Sequence, residues 1–307
     1  MTPQLQTVFY GTHEFAVTIL DALHGASFIT ITDVVTQPDK PFGRKRIVQP
    51  SPVKIYAEKN NLMIHQPQTL KMFTFDKPID LAIVAQYGKL IPETLLYLPK
   101  HNTLNVHTSL LPKYRGASPI QHALMDGATT TGTTIMCMDK GLDTGPILAQ
   151  KEVDITPNET YTSLSKKLAT ASAELLLKTL PEYINGTLIP QPQDETRATL
   201  CRQLTRDQGR VSWNNTAQEV YNQYRGLTPW PGIWTTQKGS RLKLITIEPD
   251  TQTQLTPGTV STKNGILRIG CAKGSIIVID IQPEGKPVMT AQSYLQGNKT
   301  IDNTQLV

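Results

Sequence analysis

A chain of 307 residues fits two domains of ordinary size. With 38% hydrophobic and 18% charged residues it is expected to fold, and 20 Gly and 22 Pro without a period exclude a collagen-like chain. The net charge of +5 is unevenly placed, because eleven Lys and Arg face only seven Asp and Glu after residue 205.

The first two-thirds alternate strand-like and helix-like stretches. LQTVFY (5–10) is a short apolar run, and Gly11 follows it at a strand–helix turn, where it is expected to allow close backbone approach by a ligand. Thr12 can cap a helix whose apolar positions Phe15, Ile19, Leu20 and Leu23 fall on one face. FITITDVVT (28–36) is rich in β-branched residues and reads as a strand. Lys40, Arg44, Lys45 and Arg46 then crowd into KPFGRKR, whose Pro and Gly argue against regular structure. That cluster suits a polyanion, with solvated surface charge as the plain alternative.

SPVKIYAEKN (51–60) opens with a Ser cap and Pro at the first helical position. LMIHQ, DLAIVAQ (80–86), TLNVHT (103–108) and TTIMCMD (133–139) are further strands, and SPIQHALMDG (118–127) has helix start and stop signals. A long helix is expected from about Thr156 to Asn185, kinked or broken near Pro181. LIPQPQDET (188–196) lacks periodicity and reads as linker. From Trp213 onward one short helix and many short strands, separated by Gly, Pro and Asn, indicate a small barrel. The expected fold is α/β: a Rossmann-like, mostly parallel sheet with helices on both faces over 1–189, a linker over 190–208, and an OB-like β-barrel over 209–307.

Several chemistries are excluded. Cys137, Cys201 and Cys271 form no CxxC pair, and the six histidines form no HExxH, so no metal is expected. GxGxxG, GxSxG and GxxxxGK[ST] are all missing, which disfavours nicotinamide, α/β-hydrolase and P-loop enzymes. No stretch approaches the roughly 18 unbroken apolar residues of a membrane helix, and MTPQLQTVFYGT lacks the pattern of a secretory signal. A cytoplasmic location without membrane association is expected.

Two segments carry the chemistry. In TLNVHTSLLPKYRGASPIQ (103–121), Asn105 and His107 lie two apart on a strand and share a face. An amide N–H and an imidazolium N–H can both stabilise an oxyanion, and strand carboxyl ends are where such sheets bind ligands. In MDKGLDTGPIL (138–148), Gly141 and Gly145 bracket Leu-Asp-Thr, and Asp143 is a candidate carboxylate partner that orients His107. Taken singly, the first segment reads equally as a solvated strand end and the second as a turn Asp bonding its own backbone.

Together, Asn-x-His-x-SLLP followed by D-x-GLDTG resembles the folate-dependent formyltransferases. QPDKPFGRKRIVQPSPVK (37–54), VAQYGKLIP (84–92), RGASPIQ (115–121) and LTPWPGIW (227–234) resemble the branch of that family that acts on methionyl-tRNA. The likeness runs from Val8 to the residues near 296, with Phe42 and Ser118 standing where smaller residues are more usual. It implies formyl transfer from 10-formyltetrahydrofolate to the α-amino group of initiator methionyl-tRNA, for translation initiation and without a metal. It also implies the trio Asn105, His107 and Asp143, with Ser109, Leu110, Leu111 and Pro112 helping to bind tetrahydrofolate. Gln86, Tyr87, Gly88, Leu90 and Ile91, with Asp139, Gly141 and Leu142, are the implied walls of the folate slot. Lys40, Arg44, Lys45 and Arg46 are expected on the tRNA, on a loop that closes over its acceptor end, and a monomer is expected. Enzymes formylating glycinamide ribonucleotide or a sugar amine share the trio, but a small acceptor gives no reason for the basic loop and basic C-terminal domain. A nucleic-acid-binding protein without catalysis is the remaining alternative, separable by a formyl-transfer assay.

Overall fold

A computed structural model describes residues 4–42 and 47–307. In chain order the elements are β1 (Leu5–Gly11), α1 (Glu14–His24), β2 (Ile29–Val35), β3 (Lys40–Phe42), β4 (Ile47–Gln49), α2 (Pro52–Lys59), β5 (Ile64–His65), β6 (Leu81–Ala85), α3 (Glu93–Leu96), β7 (Thr103–His107), β8 (Arg115–Gly116), α4 (Pro119–Met125), β9 (Thr130–Cys137), β10 (Ile147–Asp154) and α5 (Tyr161–Ile184). They continue through β11 (Leu200–Cys201), α6 (Ala217–Leu227), β12 (Ile233–Gln237), β13 (Ser240–Asp250), β14 (Val260–Ser261), β15 (Leu267–Gly270), β16 (Ser275–Pro283), β17 (Met289–Thr290) and α7 (Ala291–Gly297).

Chain contacts define two compact units. One comprises residues 1–119, 130–154 and 165–201; the other comprises 120–129, 155–164 and 202–307.

The first unit is built on a seven-stranded sheet ordered β10-β9-β7-β6-β1-β2-β5. Strands β5, β2, β1, β6 and β7 are parallel, while β9 and β10 run antiparallel at one edge. The all-buried run Leu81–Ala85 fits a central strand covered on both faces. The chain moves from β1 outward to β2 on one side and to β6 on the other, so the ends of β1 and β6 form the switch point where such sheets receive ligands. One core cluster gathers Val8, Tyr10, Val35, Ala82, Val84, Tyr87, Ile91 and Leu95.

Four local expectations differ from what is observed. Thr12 does not cap α1: the cap position is His13, and the Thr12 hydroxyl instead donates to the Tyr87 carbonyl at 3.0 Å. Gly11 is the last residue of β1, and a Cβ there would lie 2.5 Å from Phe9 and 2.8 Å from Ala16, so internal packing demands the glycine. Helix α5 starts at Tyr161 rather than Thr156 and runs through Pro181 to Ile184. A proline one turn from the end removes one N–H, while the Pro181 carbonyl still accepts from Asn185 N. The ends of the basic segment are not irregular, since β3 and β4 pair antiparallel across it.

In the second unit, β12-β13-β16-β15-β14 form an antiparallel sheet, with β17 pairing β16. Register shifts between Leu244 and Ile247 bend β13. The C-terminal tail bridges the two edges: Val307 exchanges bonds with Thr236 of β12, Asn303 and Thr304 exchange bonds with Val260 of β14, and Leu306 N donates to the Gly258 carbonyl just before that strand. This closes the barrel that the turn-rich sequence suggests. Two helices, α6 and α7, accompany it where one was expected, and Ala217, Val220, Leu227 and Tyr294 join its core. Arg225, only 4% exposed, donates to the carbonyls of Thr156 and Glu159 and to Asn222, drawing residues 155–164 into this unit.

Candidate active site

Strand alternation puts Asn105 and His107 on one face of β7, and the loop between β9 and β10 brings Asp143 onto that face. Asn105 Nδ2 donates to Asp143 Oδ1 at 3.2 Å, and the Gly116 backbone N–H donates to Oδ2 at 2.8 Å. His107 Nδ1 stands 3.6 Å from the same Oδ2, and its Nε2 lies 2.9 Å from the Tyr114 carbonyl. A carbonyl only accepts, so Nε2 carries a proton and donates it, leaving Nδ1 toward the carboxylate. The Asn105 amide has two N–H groups; Asp143 takes one and the other is available to a ligand. The expected trio is therefore brought together.

No residue type or spacing signals what holds the trio. Asp143 has φ +54, a left-handed conformation costing a non-glycine residue roughly 1–2 kcal/mol. Gln193 holds it there, donating to the carbonyls of Asp143 (2.9 Å) and Gly145 (2.7 Å). Gly116 has φ +116, and a Cβ there would meet the Cys201 carbonyl at 2.3 Å, so only glycine lets β8 and β11 pair here and aim its N–H at Asp143. Cys201 is buried and its Sγ donates to the Tyr114 carbonyl, the acceptor that also holds His107. Burial, with Asp143 nearby, pushes the Cys201 thiol up to about 11, so it is not a nucleophile at neutral pH.

The expected folate residues divide into two groups. Ser109 is fully buried and its hydroxyl is spent on the Lys113 carbonyl at 2.6 Å; Leu111 is buried, and a cis peptide links it to Pro112. Their side chains serve the turn after β7, leaving half-buried Leu110 as the accessible apolar one of the four. Tyr87 is also buried, with burial pushing its hydroxyl up to about 12, and Ile91 lies in the core. By contrast Leu90 is 94% exposed and Leu142 63% exposed. Gln86 and Gly88 both take positive φ, and the Tyr87 carbonyl between them is fixed by Thr12 and by Gln37 Nε2 at 2.6 Å. Asp139 Oδ1 accepts from Gly141 N and the Thr144 hydroxyl, which shapes the other loop. The sequence marks Thr12 only as a helix cap and Gln37 only as the start of a family motif.

Lys40 is exposed, and its ammonium donates to Gln37 Oε1. Arg44, Lys45 and Arg46, the other expected tRNA contacts, lie outside the described residues, as does the closure expected of their loop. Among the described residues no three His, Cys, Asp or Glu side chains are grouped to hold a metal, and no helix is long and apolar enough to cross a membrane.

The family model for formyl transferases matches residues 5–180, and that for the formyl transferase C-terminal domain matches 203–299. A methionyl-tRNA formyltransferase of Enterococcus faecalis is 42% identical over 298 residues, 94% of this chain and 95% of that protein. The enzyme of that name from Myxococcus xanthus is 43% identical over 305 residues, covering 97% and 96%. Among solved structures, an N-formyltransferase from Helicobacter canadensis, in complex with folinic acid and dTDP-3-aminofucose, superposes with a TM-score of 0.68 at 18% identity, covering 91% of this chain and all of that one. HypX from Aquifex aeolicus in complex with tetrahydrofolic acid gives 0.63 at 15% identity, covering 98% of this chain and 49% of that one. At such identities the two structures speak for the fold alone.

Proposed function

The chain belongs to the formyl transferase family, and from that premise we propose that it carries the formyl group of 10-formyltetrahydrofolate to the α-amino group of methionine on initiator methionyl-tRNA. The observation that carries this reading is identity above 40% through both units to proteins named for that reaction. A solved sugar 3N-formyl transferase is only 20% identical. The family uses folate-derived formyl donors. Formylation of the initiator serves translation initiation.

In the proposed reaction the neutral amine attacks the formyl carbon, and its C=O bond becomes a tetrahedral oxyanion. The free N–H of Asn105 and the imidazole of His107 stabilise that oxygen. Asp143 orients both donors and accepts the proton that the amine loses, directly or through water. Collapse breaks the bond from carbon to the folate nitrogen, which takes up a proton as it leaves. The nucleophile is the substrate amine, so the protein forms no covalent bond to the formyl group.

Exposed Leu90 and Leu142 offer apolar surface for the pterin and aminobenzoyl rings, and the fixed backbone at 86–88 offers hydrogen-bonding groups beside it. Lys40, Arg44, Lys45 and Arg46 are proposed to meet the acceptor end of the tRNA, with Arg44 suited to bidentate phosphate contact. The C-terminal barrel over 209–307, joined to the catalytic domain (1–189) through 190–208, is proposed as a second tRNA surface. Stacking of Arg241 on Trp234, 3.9 Å from the ring centroid, gives it a pre-oriented cation. A cytoplasmic monomer is proposed. Incubating the protein with 10-formyltetrahydrofolate and either charged initiator tRNA or a sugar amine tests the reading; formylation of the sugar amine alone would sink it.

A further inference from the structure

The stretch 190–208, read from the sequence as a linker, is stitched to the site along its first half. Gln191 bridges Ile147, Gln193 binds the carbonyls of Asp143 and Gly145, Thr199 Oγ1 accepts from Tyr114 N, and Leu200–Cys201 pair with Arg115–Gly116. At the centre is Arg115, 4% exposed although charged. Its Nε and one terminal nitrogen donate to Gln193 Oε1 at 3.0 and 2.8 Å, and both terminal nitrogens grip Glu195 at 2.8 and 2.7 Å. The hydrogen bonds to Glu195 hold the guanidinium further toward its charged form.

We propose that Gln193 is the positioning residue for Asp143: fixed by Arg115 and Glu195, its amide holds the left-handed turn that aims Asp143 at Asn105 and His107. The chemistry of an amide makes the assignment specific. Two N–H groups are needed for two carbonyls and one oxygen for the guanidinium, and Gln supplies all three from one rigid plane. Glutamate has the same shape but would set an oxygen against those carbonyls while still accepting from Arg115. The proposal rests on the reading of the Asn105–His107–Asp143 trio given above.

Gln193→Glu and Gln193→Ala, made in the full chain, separate positioning from general stability. Each is expected to lower kcat for formyl transfer about 10–100-fold, as misplacement of a reacting group by about an ångström does, with KM for both substrates within about twofold. In an Asp143→Ala background the same substitutions should cost less than about twofold, because the residue being positioned is gone. Hydrogen exchange of the 138–146 loop should quicken in both variants while the melting temperature of Gln193→Glu stays near that of wild type. Equal losses in both backgrounds, or unchanged kcat with unchanged loop exchange, would overturn the proposal. A wild-type protein inactive in formyl transfer would sink the functional reading instead, and loop exchange in Gln193→Glu would then decide the clamp alone.

Discussion

Replacing Asp143 by Asn keeps the shape of the side chain and removes its charge and one of its two acceptors. In the native site Oδ1 accepts from Asn105 and Oδ2 from Gly116 N, with His107 Nδ1 3.6 Å away. An amide satisfies one of those donors and turns an NH2 group against the other. The loss of one charge-assisted bond costs about 1.5–3 kcal/mol, and the side chain is only 13% exposed, so water compensates little. The chemical loss is larger. Without a carboxylate the amine's proton has no acceptor, a role worth about 10²–10⁴ in rate. Where the amide oxygen faces Gly116 N, Asn105 is no longer held and drifts from the oxyanion, where a single donor is worth about 10²–10³. Because one geometry serves all these roles, their factors do not multiply, and a fall in kcat of about 10³–10⁴ is expected, with folate affinity nearly unchanged. Single-turnover formylation of charged initiator tRNA measures the first quantity, and fluorescence titration with a tetrahydrofolate measures the second. Turnover within threefold of wild type would refute the reasoning.

Three further outcomes are expected. Asn105→Ala and His107→Ala should each reduce kcat steeply, and the double variant should lose far less than the product of the two, as steady-state kinetics on all three proteins would reveal. Leu306→Ala, at a position 2% exposed on the tail that closes the barrel, should cost about 2–5 kcal/mol in a denaturant titration. The 2.9 Å bond from Arg268 holds the Asp250 carboxyl down at about 2. That contribution to stability is complete above the unfolded value near 4 and is lost as pH falls toward 2. Asp250→Asn should therefore melt at a lower temperature at pH 7 and show a shallower further drop between pH 4 and 2.

What the sequence made legible follows from periodicity and from local motifs. Asn105 and His107 declare a shared face because strand side chains alternate, and the covered Leu81–Ala85 strand announces itself as an unbroken apolar run. Asp143 was reachable through the glycines around it and the family pattern. Gly116, Tyr114 and Gln193 were not, because each acts through a backbone group or a contact far along the chain. Gln193 meets Asp143 and Gly145 across 50 and 48 residues, inside a Pro-rich stretch whose composition reads as linker. Thr12 fails as a cap for the same kind of reason: a carbonyl 75 residues away captures its hydroxyl. The tail that closes the barrel leaves no local signal, since its five residues pair with two separate strand edges.

The most direct measurement is parallel formylation of charged initiator tRNA, charged elongator methionyl-tRNA and free methionine, with 10-formyltetrahydrofolate as donor. Rapid formylation of the charged initiator, little of the elongator and none of free methionine is the predicted result. Equal rates on all three, or no transfer to any of them, would contradict it.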